Sequence, residues 1–213
     1  MGRVYDATWG RAFAALYDRG LRATEEAGLR RMRAELLSGA HGRVLEIGAG
    51  TGVNLDLYPG DVEELVLTEP DPHMARRLRA KLAESGRRAE VAEAPAERLP
   101  FEDGSFDTAV GTLVLCTIPD PGAALAEAAR VLRPGGHFLF IEHVRSEQPV
   151  LARWQDRLEK PWRFLGDGCH CNRDTVATIA ASPLQVERVE RGRLPKAPPI
   201  VRPLVRGSAM LPV

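Results

Sequence analysis

Three glycines at alternate positions, Gly48, Gly50 and Gly52, follow directly on the apolar run Val44-Leu45-Glu46-Ile47. Glycines there let the backbone turn sharply and approach a ligand with no side chain in the way. A dinucleotide-binding loop has the spacing G-x-G-x-x-G and delivers pyrophosphate to a helix N-terminus. Here the third glycine comes one position earlier, and an acid, Glu46, sits just before the loop. A carboxylate there suits a ligand with an ammonium group and repels pyrophosphate. A second acid, Glu69, closes the next apolar run, Leu65-Val66-Leu67-Thr68, where a carboxylate can accept from both hydroxyls of a ribose. An ammonium at one end and a ribose at the other describe S-adenosylmethionine.

Other residue types could act beside that ligand. His143 ends an apolar run, where an imidazole with a pKa near ~6.5 is either a general base or a packing residue. If the acceptor is a thiol, it supplies its own nucleophile, and removing His143 is expected to cost less than about tenfold; for a phenol or alcohol the cost is about 10²–10⁴-fold. Cys169-His170-Cys171 invites a metal, and Cys116 could add a third thiolate in space, a trio that arsenite would accept. With no matching ligand pair elsewhere the set falls short of a four-ligand zinc site, so no bound metal is expected. Tyr5, Trp9, Phe13 and Tyr17 suggest a lid whose aromatics face the acceptor, with Tyr17 reaching the carboxylate of the ligand. Trp154 and Trp162 would form the opposite wall, with Cys116 also on the acceptor side.

The elements that must position these residues alternate. Strands are expected at Arg43–Ile47, Glu64–Thr68, Ala89–Ala92, Phe106–Gly111 and His137–His143, with helices at Pro72–Ser85 and Gly122–Leu132 between them. Such alternation requires a parallel sheet with helices on both faces. Before it, residues 11–37 carry apolar positions at helical spacing, interrupted by Gly20 and Gly28. After it, Leu184–Arg191 and Arg202–Met210 read as an antiparallel pair. The expected fold is therefore α/β: a Rossmann-like, seven-stranded, mostly parallel sheet with helices on both faces and an antiparallel last strand. It forms one domain over 1–213, with a helical lid at 1–38 and a substrate-side insertion at 144–182.

The 213 residues carry 29 basic and 29 acidic side chains, without the basic excess of a dedicated nucleic-acid binder. No run is long and apolar enough for an integral membrane span, and three cysteines argue against a disulfide framework and for a reducing, cytoplasmic setting.

The ordered set of motifs resembles the class I S-adenosylmethionine-dependent methyltransferases. It comprises the glycine loop, Leu99-Pro100-Phe101-Glu102-Asp103-Gly104-Ser105-Phe106-Asp107, and Val131-Leu132-Arg133-Pro134-Gly135-Gly136. Gly52-Val53-Asn54, Leu57-Tyr58-Pro59, Thr112-Leu113-Val114-Leu115-Cys116, Glu142-His143-Val144 and Asp167-Gly168-Cys169 narrow the resemblance to the branch with the alkyl-thiol methyltransferases. The resemblance implies that Gly48, Ala49, Gly50 and Gly52 shape the loop around the methionine part of the cofactor. Glu46 and Asn54 would hold its amino-acid end, Glu69 its ribose, and Pro70 and Met74 would flank its adenine. The family often has an acid where this chain has Pro95, so Ala96 or Glu97 would meet the adenine amino group instead. Thr112 and Leu113 would offer backbone to the methionine portion. The implied activity is methyl transfer to a small hydrophobic acceptor, a thiol ahead of a phenol or an amine. An arsenite methyltransferase, a nicotinamide-dependent oxidoreductase and a non-catalytic cofactor-binding protein are the remaining alternatives.

Overall fold

The computed structural model describes residues 11–213. Helix α1 (Arg11–Thr24) runs through a π-helical turn, Glu25–Leu29, into α2 (Arg30–Leu37). Of the two glycines that interrupt this helical pattern, Gly28 makes the kink, at a φ of 137° that other residues rarely adopt; Gly20 stays helical.

Seven strands form one sheet in the order β3-β2-β1-β4-β5-β7-β6. They are β1 (Arg43–Ile47), β2 (Glu64–Thr68), β3 (Glu90–Ala92), β4 (Phe106–Thr112), β5 (Leu132–His143), β6 (Gln185–Arg193) and β7 (Pro203–Met210). β1 pairs in parallel with β2 on one side and β4 on the other. β7 runs antiparallel between β5 and β6. The seven-stranded α/β expectation holds, antiparallel closing strand included. β1 lies at the point where strand order reverses, and in open α/β sheets the crevice beyond the strand carboxyl ends at that point binds ligands.

The central strands are nearly all apolar because both of their faces are covered. One face packs Phe106, Phe138 and Phe140 against Ala124, Leu125 and Ala128; the other packs Val44, Leu67 and Val110 against Leu37 and Leu78. Helix α3 (Pro72–Ser85) starts where Asp71 accepts from the N–H groups of His73 and Met74, has Pro72 at its first position, and stops at left-handed Gly86. Asp120 caps α4 (Pro121–Val131) in the same way, through the N–H of Ala123.

β5 begins earlier than expected, at Leu132. Phe106 pairs with Leu132 and Thr108 with His137, so Arg133–Gly136 bulges out of the ladder without ending the strand. A Cβ on Gly136 would lie 2.8 Å from the Arg133 carbonyl oxygen, so the bulge admits only glycine there.

The segment after β5 forms α5 (Pro149–Leu165) and the short α6 (Thr175–Ala180). Fully buried Gln155 ties this segment to the sheet. Its Nε2 lies 2.8–3.0 Å from the carbonyl oxygens of Val144, Cys171 and Ile200, and its Oε1 accepts from the N–H of Ser146. Among the described residues, no helix is long and apolar enough to cross a membrane.

Candidate active site

A cavity of about 720 Å³ opens at the carboxyl ends of β1, β2, β4 and β5. Its floor is the glycine loop. Gly48 and Gly50 line it at φ of 64° and 57°. Their reasons for being glycine differ: a Cβ on Gly48 would meet Val114 at 2.2 Å, whereas a Cβ on Gly50 would meet no protein atom within 4 Å and would stand in the cradle itself. Gly52 does not line the cavity. Its Cβ would strike Leu78 and Leu55 at 2.7 and 2.8 Å, so it serves helix packing. Ala49 is also absent from the wall; its N–H donates to the carbonyl of Thr68 and ties the loop to β2.

Glu69 lines the cavity beside this floor. Its carboxylate accepts from the Gly50 N–H at 2.8 Å and the Asp71 N–H at 2.9 Å. Burial pushes the Glu69 carboxyl above its ordinary pKa, and these two amide bonds pull it back. Each oxygen keeps a free lone pair, the pair of acceptors that two vicinal hydroxyls need as donors. Pro70, Met74, Ala96 and Glu97 extend the wall on this side. An open glycine cradle, a carboxylate with spare acceptors and a wall carrying Pro70 and Met74 fit an adenosyl group bearing a small charged tail.

Glu46 and Asn54 are not on that wall. Both are buried; Asn54 Nδ2 donates to Glu46 at 2.7 Å and the Tyr58 hydroxyl donates to its other oxygen at 2.7 Å. Burial raises the Glu46 pKa, and the bonds from Tyr58 and Asn54 oppose the rise. Thr112 is likewise turned inward. It accepts from Asn54 at 2.9 Å and from Arg33 at 2.6 Å. These side chains therefore make a buried polar frame beneath the loop; Glu46 and Asn54 had been expected at the ligand, and Thr112 only through its backbone.

Sequence reasoning missed the centre of that frame. Arg33 is 1% exposed and donates to Asn54, Thr112 and Glu25. It sits among the arginines of the N-terminal helices, and nothing in its local spacing sets it apart. Glu142 was also missed. It is fully buried, and its Oε1 accepts from the N–H groups of Val114 and Leu115, which shapes the turn after β4. Burial, only partly offset by those amides, raises its carboxyl to about 7. Leu113, in that turn, lines the cavity at a positive φ of 56°.

The other end of the cavity is walled by Cys116, His143, Trp162, Leu165, Cys169 and Val201. His143 Nε2 lies 3.0 Å from Cys169 Sγ, and the Trp162 indole N–H donates to the same sulfur at 3.3 Å. His143 Nδ1 is buried with no hydrogen-bond partner among the described residues. The hydrogen bond with Cys169, together with burial, pushes the Cys116 thiol well above its ordinary pKa. Cys171 points elsewhere, its thiol against the Gln155 carbonyl, and His170 pairs with Glu159. Helix α1 covers the cavity with Phe13, Tyr17 and Leu21.

Trp154, expected on the wall, is half exposed and lies under the Arg157 guanidinium. The buried face of α5 is set by Ala152 and Gln155. Trp162 is two turns beyond Gln155 and shares its face, whereas Trp154 is rotated about 100° away. Tyr5 and Trp9 lie outside the described residues.

A methyltransferase domain family model matches residues 45–140. Human thiol S-methyltransferase TMT1B is 37% identical over 184 residues, covering 82% of this chain and 73% of the relative. A phosphatidylethanolamine N-methyltransferase from Cereibacter sphaeroides is 33% identical over 71% of this chain and 75% of its own length. Among solved structures, a SAM-dependent methyltransferase from Thermotoga maritima superposes with a TM-score of 0.70 at 22% identity, over 94% of this chain and 96% of that one.

Proposed function

The chain belongs to the class I S-adenosylmethionine-dependent methyltransferases, and from that premise we propose that it methylates the sulfur of a small apolar thiol. The acceptor end of the cavity carries this reading, because thiols, an indole and aliphatic carbons wall it around His143. An apolar pocket of this kind takes a small hydrophobic molecule rather than a nucleic acid or a protein. The likeness to TMT1B supports sulfur as the acceptor atom.

S-adenosylmethionine, when bound, supplies a methyl group on a sulfonium, which an acceptor atom takes by in-line displacement. Gly48 and Gly50 admit its methionine part, with Leu113 offering backbone from the facing turn. Glu69 takes the ribose hydroxyls, Pro70 and Met74 flank the adenine, and Ala96 and Glu97 meet its edge. Tyr17 closes over the amino-acid end. Glu46, Asn54 and Thr112 act from below, holding the loop in shape. Because a sulfonium is already an activated leaving group, the protein has chiefly to align the acceptor and keep the cavity dry. Well-aligned reactants gain roughly 7–11 kcal/mol in this way. Phe13, Tyr17 and Leu21 exclude water from above and Trp162 from the side. A thiol with a pKa of about 8.5 is a few per cent ionised at neutral pH, so the reading needs no general base. His143 then binds and orients.

Two measurements test the proposal. Glu69→Ala is expected to weaken S-adenosylhomocysteine binding by about 1.5–3 kcal/mol, the worth of charged hydrogen bonds, while the protein stays folded; unchanged affinity by calorimetry would mean that the ribose lies elsewhere. An alkyl thiol, a phenol and an amine of similar bulk should differ in kcat/KM. The thiol is expected to lead both, because sulfur is intrinsically the strongest nucleophile of the three. A phenol or amine that matched the thiol would reject sulfur as the acceptor.

A further inference from the structure

Cys116, His143 and Cys169 come from three separate parts of the chain: the turn after β4, the last residue of β5 and the loop after α5. Their ligand atoms, two Sγ and one imidazole nitrogen, nevertheless lie within 4.8 Å of one another. Cys116 and His143 are buried, and all three residues line the cavity. We propose that these three atoms bind one zinc-class divalent cation whose fourth tetrahedral position faces the cavity and receives the sulfur of the acceptor. That last part rests on the thiol reading; the ion site itself does not.

The donor set is that of an open zinc site. Thiolate and imidazole ligands select soft or borderline ions of this kind, and three protein ligands with one open position distinguish a reactive site from a closed structural one. Zinc–sulfur and zinc–nitrogen bonds of about 2.3 and 2.0–2.1 Å place tetrahedral ligand atoms roughly 3.5–3.8 Å apart. The observed group reaches that spacing with side-chain shifts of under about 1 Å.

The backbone around the ligands is already fixed. The Arg173 guanidinium donates to the carbonyls of Leu115 and Ile118, on either side of Cys116. The His170 N–H donates to the Cys116 carbonyl at 2.8 Å, which joins the two cysteine loops directly. Gln155 holds the Cys171 and Val144 carbonyls, next to the Cys169 loop and to His143. This trio differs from the one that the sequence suggested: Cys171 is turned away and His143 replaces it, which changes a three-thiolate set into an S₂N set. The proposal also departs from the expectation of no bound metal.

The chemistry needs no oxidant or reductant. Uptake of the ion displaces one proton from each cysteine thiol to solvent, and the acceptor thiol loses a third on entering the fourth position. Its sulfur then bonds to the methyl carbon as the carbon–sulfonium bond breaks. The resulting neutral thioether is a poorer ligand than a thiolate, so the product leaves.

The test uses the reduced full-length protein, stripped with a chelator and titrated with Co²⁺. One equivalent is expected to bind, with the strong visible bands of tetrahedral cobalt and a thiolate charge-transfer band, both abolished by Zn²⁺. Cys169→Ser and Cys116→Ser should each weaken uptake by about 100-fold or more, beyond the 10–100-fold of an outer-shell change. Cys171→Ser should leave uptake intact. Cys169 is the more exposed of the two cysteine ligands, so its variant keeps the test open if Cys116→Ser fails to fold. Adding an alkyl thiol should shift the visible bands, and adding a phenol should not. No cobalt uptake by protein with three titratable thiols would overturn the site while leaving thiol methylation standing. Bands unmoved by thiol would overturn the fourth-position role. Cobalt bands together with methylation of phenols alone would instead reject the thiol reading and keep the site.

Discussion

Gly50→Val should abolish cofactor binding while leaving the protein folded. The Gly50 backbone is left-handed, at a φ of 57°, and a Cβ there meets no protein atom within 4 Å. A side chain therefore costs the fold only the roughly 1–2 kcal/mol of an L-residue held in that conformation. Its branched carbons, however, fill the cradle that the cofactor must enter, and the valine also constrains the N–H that Glu69 uses. Affinity for S-adenosylhomocysteine is expected to fall by about 100-fold or more, which is roughly 2.7 kcal/mol. Gly52→Val makes the contrast. Its Cβ collides with Leu78 and Leu55, so that variant should lose stability first. Calorimetry paired with thermal unfolding separates the two cases. Near-native affinity in folded Gly50→Val would remove the glycine loop from the cofactor site.

Arg33→Met should be among the most destabilising single changes in the chain. The guanidinium is 1% exposed and serves Glu25, Asn54 and Thr112 together. Methionine fills much of the same space but strands the Glu25 carboxylate and the Asn54 amide oxygen, and leaves Thr112 only its bond from Asn54. Breaking a buried ion pair from one side costs about 3–5 kcal/mol, a large part of the 5–15 kcal/mol that holds a typical domain together. The low end applies here, because the Glu25 side chain keeps 18% of its exposure and can recruit water. Arg33→Lys should not restore the loss, since one ammonium cannot reproduce a planar fork aimed at three acceptors. Urea unfolding would read the effect as a lower midpoint at unchanged slope. A loss under about 1 kcal/mol would show that the frame beneath the glycine loop has no structural weight.

These two positions also mark what the sequence could and could not disclose. Gly50 was legible because a loop that must pass close to a ligand admits few residue types, and it follows an apolar strand in unbroken chain order. The elements of the sheet's parallel part were legible from local periodicity, but their order across the sheet is set by contacts between distant strands. Arg33 was not legible, since its three partners lie 8, 21 and 79 residues away. Glu46 was assigned to a ligand because it adjoins the loop; its protein partners, Asn54 and Tyr58, become visible only once the chain after the loop folds back beneath it. The Cys116–His143–Cys169 group has no sequence spacing to recognise, because three elements meet only at the carboxyl edge of the sheet. Trp154 and Trp162 share a helix and a residue type, and only the burial of Gln155 decides which of them faces the cavity.

The central claim is that this cavity transfers methyl groups to sulfur. Its most direct test offers the enzyme one small molecule bearing both an alkyl thiol and a phenolic hydroxyl, with S-adenosylmethionine labelled as the trideuteromethyl compound. Mass spectrometry and NMR of the product then report which atom carries the label. The predicted product is the trideuteromethyl thioether with its phenol free. A trideuteromethyl aryl ether with its thiol free would contradict the claim.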